Sequence, residues 1–490
     1  MHLVIKQINP FLFIVILVYT VLGIATLNNC YLGDVIQQVS REGYWFYKTN
    51  FSSLLIPANN HLSISATGYH PPLMGIMTAL LWQIFGQALW VSHAFTALWA
   101  VLLIYNSWKL ILSLFPKKYA GWMLLIVLLE PTVLTQFAIA SPDFILLTAF
   151  VISLRAILER KRILLGIGLF FLCCINMRGV FVGVMLFLAH LYFEYSYSDK
   201  KHLFKSFKET LVPYLPTLLV LIGYFSYYFL QKGWFFTNSE YSEHYAMPQN
   251  IWTITAHFFA FILRSVESGR FVIWLLIFYF AFVLIKKKER LSAAEKTLGL
   301  FVFLMNGLYF LFVFISQMPF NPRYFMPQFF VLIILVSMLI VKYFDAKKIK
   351  PAFMVILLFT LTGHFWIYPE KIAQPWDSTL AHLPYYELRR ECFDYIDEND
   401  FDYSKVSAGF SMYGNRRFAE LNHHGKTIQK YDDTDAINSQ YMIYSNISNV
   451  DDEFVDELKD RTKWVSIKSF SKWPVFITIY QKLNCEEEIE

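Results

Sequence analysis

Charge is scarce in this chain. Only 16% of its 490 residues are Asp, Glu, Lys or Arg, whereas soluble globular chains carry about 25%. The deficit is concentrated in apolar runs of about twenty residues, long enough to cross a hydrocarbon core of roughly 30 Å. An ordinary soluble domain is therefore excluded over most of the chain. Cysteine is rare too. The five, Cys30, Cys173, Cys174, Cys392 and Cys485, show no metal-ligand spacing, although Cys392 and Cys485 are candidates to pair in an oxidising compartment. A signal-peptide cleavage pattern is lacking: the run Pro10 to Leu27 is long and has no small-residue cleavage site, so it reads as a retained signal-anchor helix. No internal repeat is visible, and transporters usually show one. The net charge of +5 does not point to nucleic acid, because the Lys and Arg sit in short loops between apolar runs.

What is abundant is aromatic and aliphatic. The chain is 56% hydrophobic, with 48 Phe and 30 Tyr, residues that tolerate lipid or favour its interfaces. A mainly α membrane protein with about eleven transmembrane helices is expected, over 10–28, 90–113, 119–139, 143–158, 163–177, 179–195, 211–230, 271–285, 297–316, 324–343 and 352–368. Two shorter apolar stretches, Leu73 to Phe85 and Ile251 to Leu263, suit interfacial or re-entrant helices. Five cationic clusters alternate with loops nearly free of Lys and Arg: Lys117–Lys118, Arg160 to Arg162, Lys200 to Lys208, Lys286 to Arg290 and Lys347 to Lys350. Positive-inside bias places these clusters and the amino terminus in the cytoplasm. Residues 29–72 then form a first outer loop, 73–86 an interfacial helix, and 1–368 one membrane domain.

Residues 369–490 turn polar and fall outside. Tyr385 to Asp397 and Asp452 to Leu458 read as helices. Lys405 to Gly409, Tyr441 to Tyr444, Trp464 to Phe470 and Val475 to Gln481 read as strands. This is an extracytoplasmic α/β domain. Asn50-Phe51-Ser52 and Asn446-Ile447-Ser448 are outward-facing glycosylation sequons.

Ionisable groups at the ends of membrane helices are costly and usually functional. The outer side collects Asp34, His70, Asp143, Arg178, Arg264, Arg270 and Arg323. Asp34 can act as a general base toward a hydroxyl or stand as a solvated loop acid. His70 can contact phosphate, ligate a metal or close the turn before Pro71-Pro72, where proline starts a helix at no cost in hydrogen bonds. Asp143 follows Ser141-Pro142, and either acid or serine can be a helix cap. Arg178 and Arg323, held close to hydrocarbon by short connections, suit an anionic partner such as a lipid phosphate. Snorkelling is the other reading.

Taken in order, these residues resemble the GT-C superfamily of polytopic glycosyltransferases, especially the lipid A aminoarabinose transferases and protein O-mannosyltransferases. The matching segments are Asp34 after the first span, Gly43-Tyr44-Trp45, and His70-Pro71-Pro72-Leu73 opening a helix that ends at Phe85-Gly86. Asp143 opens a later span, and Arg323, Tyr324 and Pro327 form an Arg-Tyr-x-x-Pro segment. Val35 stands where the family often has Glu, and His70 where the aminoarabinose transferases have Lys. The resemblance implies inverting transfer of a sugar from a polyprenyl-phosphate donor to a hydroxyl of a lipid, glycan or protein acceptor. Asp34 would be the general base, with Asp143 orienting the acceptor or sharing that role. Arg178, Arg323, His70 and Arg270 would bind the donor phosphate. The implied location is a bacterial inner membrane, and a divalent metal is left open. An oligosaccharide ligase or polymerase using a lipid diphosphate, a transporter and a non-catalytic scaffold are the alternatives.

Overall fold

A computed structural model describes residues 9–56, 70–197, 203–235, 247–248, 250–317, 319–421, 425–432, 439–448 and 450–483. Among these, six helices are long and apolar enough to cross a membrane, within Leu89–Leu114, Met177–Ser196, Phe207–Lys232, Ala293–Ile315, Pro322–Tyr343 and Ala346–Phe365. Two bent pairs bring the number to eight if each is one span. They are Lys117–Leu128 with Pro131–Ala138, bent by 59°, and Ile251–Val266 with Phe271–Lys287, bent by 91°. The expected eleven is thus corrected to six, or up to eight. An apolar run is not the same thing as one helix. Run 119–139 breaks where Glu130 accepts a hydrogen bond from the Val133 amide at 3.0 Å and Pro131 starts a new helix. Runs 10–28, 143–158 and 163–177 become Pro10–Thr26, Pro142–Leu158 and Arg162–Ile175, of 17, 17 and 14 residues. Prolines set the starts of the first two, and extended Asn176 ends the third. Leu73–Phe85 is a separate short apolar helix, as expected. Ile251–Val266 forms one limb of the pair bent by 91°, the geometry of a broken span or a re-entrant loop.

Helix Pro142–Leu158 is buried along nearly its whole length and lies at the centre of the bundle, in contact with Leu89–Leu114 and Arg162–Ile175. Around it, Leu98, Val101, Phe278 and Phe303 point outward, the apolar girdle that suits lipid. One residue, Asn176, joins Arg162–Ile175 to Met177–Tyr197. That turn is possible because Gly179 sits against the Leu172 carbonyl, where a Cβ would come within 1.7 Å of the oxygen.

The carboxy-terminal part is α/β. Its helices include Pro384–Glu398 and Asp452–Leu458. Its strands are β1 Val406–Ala408, β2 Gly414–Asn415, β3 Thr427–Lys430, β4 Tyr441–Ser445, β5 Trp464–Lys472 and β6 Val475–Lys482. They form one sheet in the order β2-β3-β1-β4-β6-β5, parallel only where β1 meets β3 and β4. The four expected strands are present. Strands β2 and β3, of two and four residues, were not expected. The candidate partner of Cys392, Cys485, lies outside the described residues. Asn446 braces a turn through Pro474 at 2.9 Å and Phe476 at 3.1 Å, so its sequon amide is already engaged.

Candidate active site

Gly33, at φ +58°, makes the left-handed turn that delivers Asp34. The Asp34 carboxylate is 39% exposed, whereas Val35 beside it packs into the core. Arg323 arrives from a 3-10 turn, Pro322–Phe325, capped by Asn321, whose Oδ1 accepts the Arg323 amide at 3.1 Å. Asp143 lies in the first turn of Pro142–Leu158, its amide bonded to Ser141 Oγ at 3.1 Å. Arg178 follows the Asn176 joint.

Chain folding brings these four together. Arg323 donates to Asp34, lies 3.2 Å from Asp377 and 3.7 Å from Asp143. Arg178 reaches both oxygens of Asp143, at 2.7 and 2.8 Å. Asn176 donates to the same carboxylate at 3.1 Å. The ring of Tyr324 lies under both guanidiniums, 4.4 Å from Arg178 and 5.3 Å from Arg323. Two arginines thus sit among three carboxylates. The Nε–H of Arg178 and that of Arg323 are buried and make no hydrogen bond, the latter facing Asp143 at 3.7 Å. Two guanidiniums held this close together suit an anionic group such as a phosphate. The Asp34 carboxyl is pushed up by burial but pulled down more strongly by Arg323 and Arg178, leaving it below the usual carboxylate range.

His70 is placed beside this network. Its Nδ1 accepts the Met177 amide at 3.3 Å, and its carbonyl accepts from Tyr224 at 2.7 Å. Burial, then Arg178, pushes its pKa down to about 3, so the imidazole is neutral. It braces the Arg178 turn without adding a positive charge. Arg270 does not join the network. It is 1% exposed, donates to Glu130 at 2.9 Å and to Thr132, and lies over the Phe329 ring at 4.3 Å. Arg264 pairs with Glu267 at 2.8 Å.

Sequence reasoning missed Asp377. It sits in the Trp376–Ser378 turn, its carboxylate fixed by Asn321 Nδ2 at 2.9 and 3.2 Å and its carbonyl by Gln136 at 2.6 Å. The available signal was an acid just beyond the last span, in the layer that holds Asp34.

The residues do not fit a divalent metal. Each of the three carboxylates faces an arginine that a cation would have to displace. Among the described residues no three His, Cys, Asp or Glu are placed to hold a metal.

No protein-family model and no curated protein matches the chain. Two crystal structures do. ArnT from Cupriavidus metallidurans bound to undecaprenyl phosphate aligns at TM-score 0.55 and 12% identity, over 96% of this chain and 98% of that one. The chain has the ArnT fold. ArnT in the apo state aligns at TM-score 0.53 and 13% identity, over 95% and 97% of the two chains. The likeness runs almost end to end, so the membrane part and the carboxy-terminal α/β part share one architecture with ArnT.

Proposed function

We propose that this integral membrane protein is a glycosyltransferase that moves a sugar from a polyprenyl-phosphate donor to an acceptor hydroxyl. The observation that carries the reading is the meeting of two arginines, Arg178 and Arg323, at one place beside a half-exposed carboxylate, Asp34. The ArnT crystal with the same fold is bound to undecaprenyl phosphate, which fits a phosphate at those two guanidiniums.

In this mechanism Asp34 takes the proton of the acceptor hydroxyl as its oxygen attacks the anomeric carbon. The bond from that carbon to the phosphate oxygen breaks, its electron pair stays on the phosphate, and the anomeric configuration inverts. Arg178 and Arg323 receive the growing negative charge. Asp143, 3% exposed, is too enclosed to meet an acceptor and instead positions Arg178. Asp377 positions Arg323. Without donor, Arg323 is bonded to Asp34, and a base so bonded is a poor base. The donor phosphate competes for Arg323, so base and donor become ready together.

The alternation of cationic loops supports a site on the extracytoplasmic face, and the likeness to ArnT supports a bacterial inner membrane. The acceptor is a lipid, glycan or protein hydroxyl. The test is a proteoliposome assay with a labelled polyprenyl-phosphate sugar, following loss of donor and gain of glycosylated product. Asp34→Asn should abolish transfer while leaving expression intact. Transfer at the wild-type rate in that variant removes Asp34 from the mechanism. Identifying the released lipid as a monophosphate or a diphosphate separates this reading from a ligase or polymerase.

A further inference from the structure

A cavity of about 480 Å³ lies where the outer end of the first helix and the start of Leu89–Leu114 meet helix Pro384–Glu398. Its two sides differ in kind. Ile24, Ala25 and Leu89 form an apolar edge, and Ile24, 71% exposed, is on the lipid-facing side of its helix. The opposite wall carries Arg389, Arg390 and Arg416 against Asp394, Asp397 and Glu420, three charges of each sign.

These charges are not all engaged within the protein. Arg389 and Arg416 share Glu420, and Arg416 also reaches Asp397 at 3.4 Å. Arg390 and Asp394, one helical turn apart, form no ion pair or hydrogen bond among the described residues, although residues at that spacing are neighbours. Two further donors lack acceptors. Arg389, 4% exposed, has a buried Nε–H with no partner, and so does the Tyr386 hydroxyl, which lines the same cavity. An available cation and an available anion therefore stand side by side, with unused donors behind them and hydrocarbon at the edge.

We propose that this cavity binds the headgroup of a zwitterionic phospholipid, with the phosphate at Arg390, Arg389 and Tyr386 and the ammonium at Asp394. The acyl chains run along the first helix. The lipid would join the carboxy-terminal domain to the outer leaflet at a site separate from Asp34 and Arg323. Equal numbers of opposite charges select against an anionic lipid, whose headgroup would leave the acids uncompensated. This inference does not rest on the transferase reading.

The test uses the purified full-length protein in detergent, titrated with phosphatidylethanolamine or phosphatidylglycerol and read by native mass spectrometry. Phosphatidylethanolamine should bind more tightly than phosphatidylglycerol. The double variant Arg390→Ala/Asp394→Ala, both exposed positions, should lose about tenfold or more in that affinity, the worth of a charge-assisted hydrogen bond. An unchanged melting temperature would show that the variant is folded. Charge-swapped Arg390→Asp/Asp394→Arg should regain part of the binding. Equal binding of both lipids, or no loss in a folded double variant, overturns the proposal. So does a glycolipid that displaces phosphatidylethanolamine at lower concentration.

Discussion

Replacing Asp34 by Asn separates two properties that usually fall together. In the donor-free protein Asp34 holds Arg323, and Arg323 also faces Asp377 at 3.2 Å. Removing the Asp34 charge releases one competitor for the arginine, so a lipid phosphate should bind more tightly. The gain is limited because Asp34 is 39% exposed and solvent screens the pair. A screened pair is worth roughly 1 kcal/mol, which corresponds to about a fivefold rise in affinity. Transfer should move the opposite way, falling by about 10²–10⁴-fold with the loss of a general base. Binding is read by titrating polyprenyl phosphate into the purified variant, and transfer by turnover of the labelled donor in proteoliposomes. A variant that binds polyprenyl phosphate less tightly than wild type would refute the competition between Asp34 and phosphate, even if transfer is lost.

The same competition sets the pH dependence. With Arg323 beside it, Asp34 lies below the usual carboxylate range. Once phosphate draws Arg323 away, the carboxyl rises. The acid limb of kcat should therefore lie at higher pH than the acid limb of kcat/KM, and the reverse order would contradict the mechanism. His70, pushed down to about 3, should add no limb near neutral pH, and one that vanishes in His70→Asn would show otherwise. Arg270→Ala should cost about 3–5 kcal/mol of stability by stranding Glu130 in the interior. A stable Arg270→Ala protein that has lost polyprenyl-phosphate binding would return Arg270 to the donor site. Gly179→Ala should disrupt the turn that carries Arg178, since its Cβ would meet the Leu172 carbonyl. Normal thermal stability and phosphate binding in that variant would show that the turn relaxes.

Residues that announce themselves locally were readable from the sequence. Asp34, Asp143, Arg178 and Arg323 each break an apolar run at its outer end, and alternating cationic loops assign those ends to one layer. What the sequence could not display were partners separated by most of the chain. Arg323 meets Asp34 across 289 positions, and Arg270 meets Glu130 across 140. Before the fold is known, Arg270 and Arg323 look alike, each a lone arginine near hydrocarbon. Their difference comes from what surrounds each one. Arg270 is 1% exposed and paired with the equally enclosed Glu130 and with Thr132, and although its Nη1 makes no hydrogen bond, no exposed group stands beside it. Arg323 is shared among acids that differ in exposure, Asp34 at 39% and Asp143 at 3%, so its site opens outward where that of Arg270 does not. The number of spans failed for a related reason. Hydropathy sums over a window, whereas Glu130 and Pro131 break one run and the helices within 10–28 and 163–177 stop at 17 and 14 residues. Asp377 was hidden because an acid in a polar segment carries no local contrast. It becomes notable only once the Trp376–Ser378 turn is seen to lie against Asn321 and Gln136, which puts a residue of the last 122 positions into a site otherwise built from the membrane part. The domain boundary expected at residue 369 therefore runs through the chemistry, and an isolated membrane part ending at residue 368 should lack a carboxylate that positions Arg323.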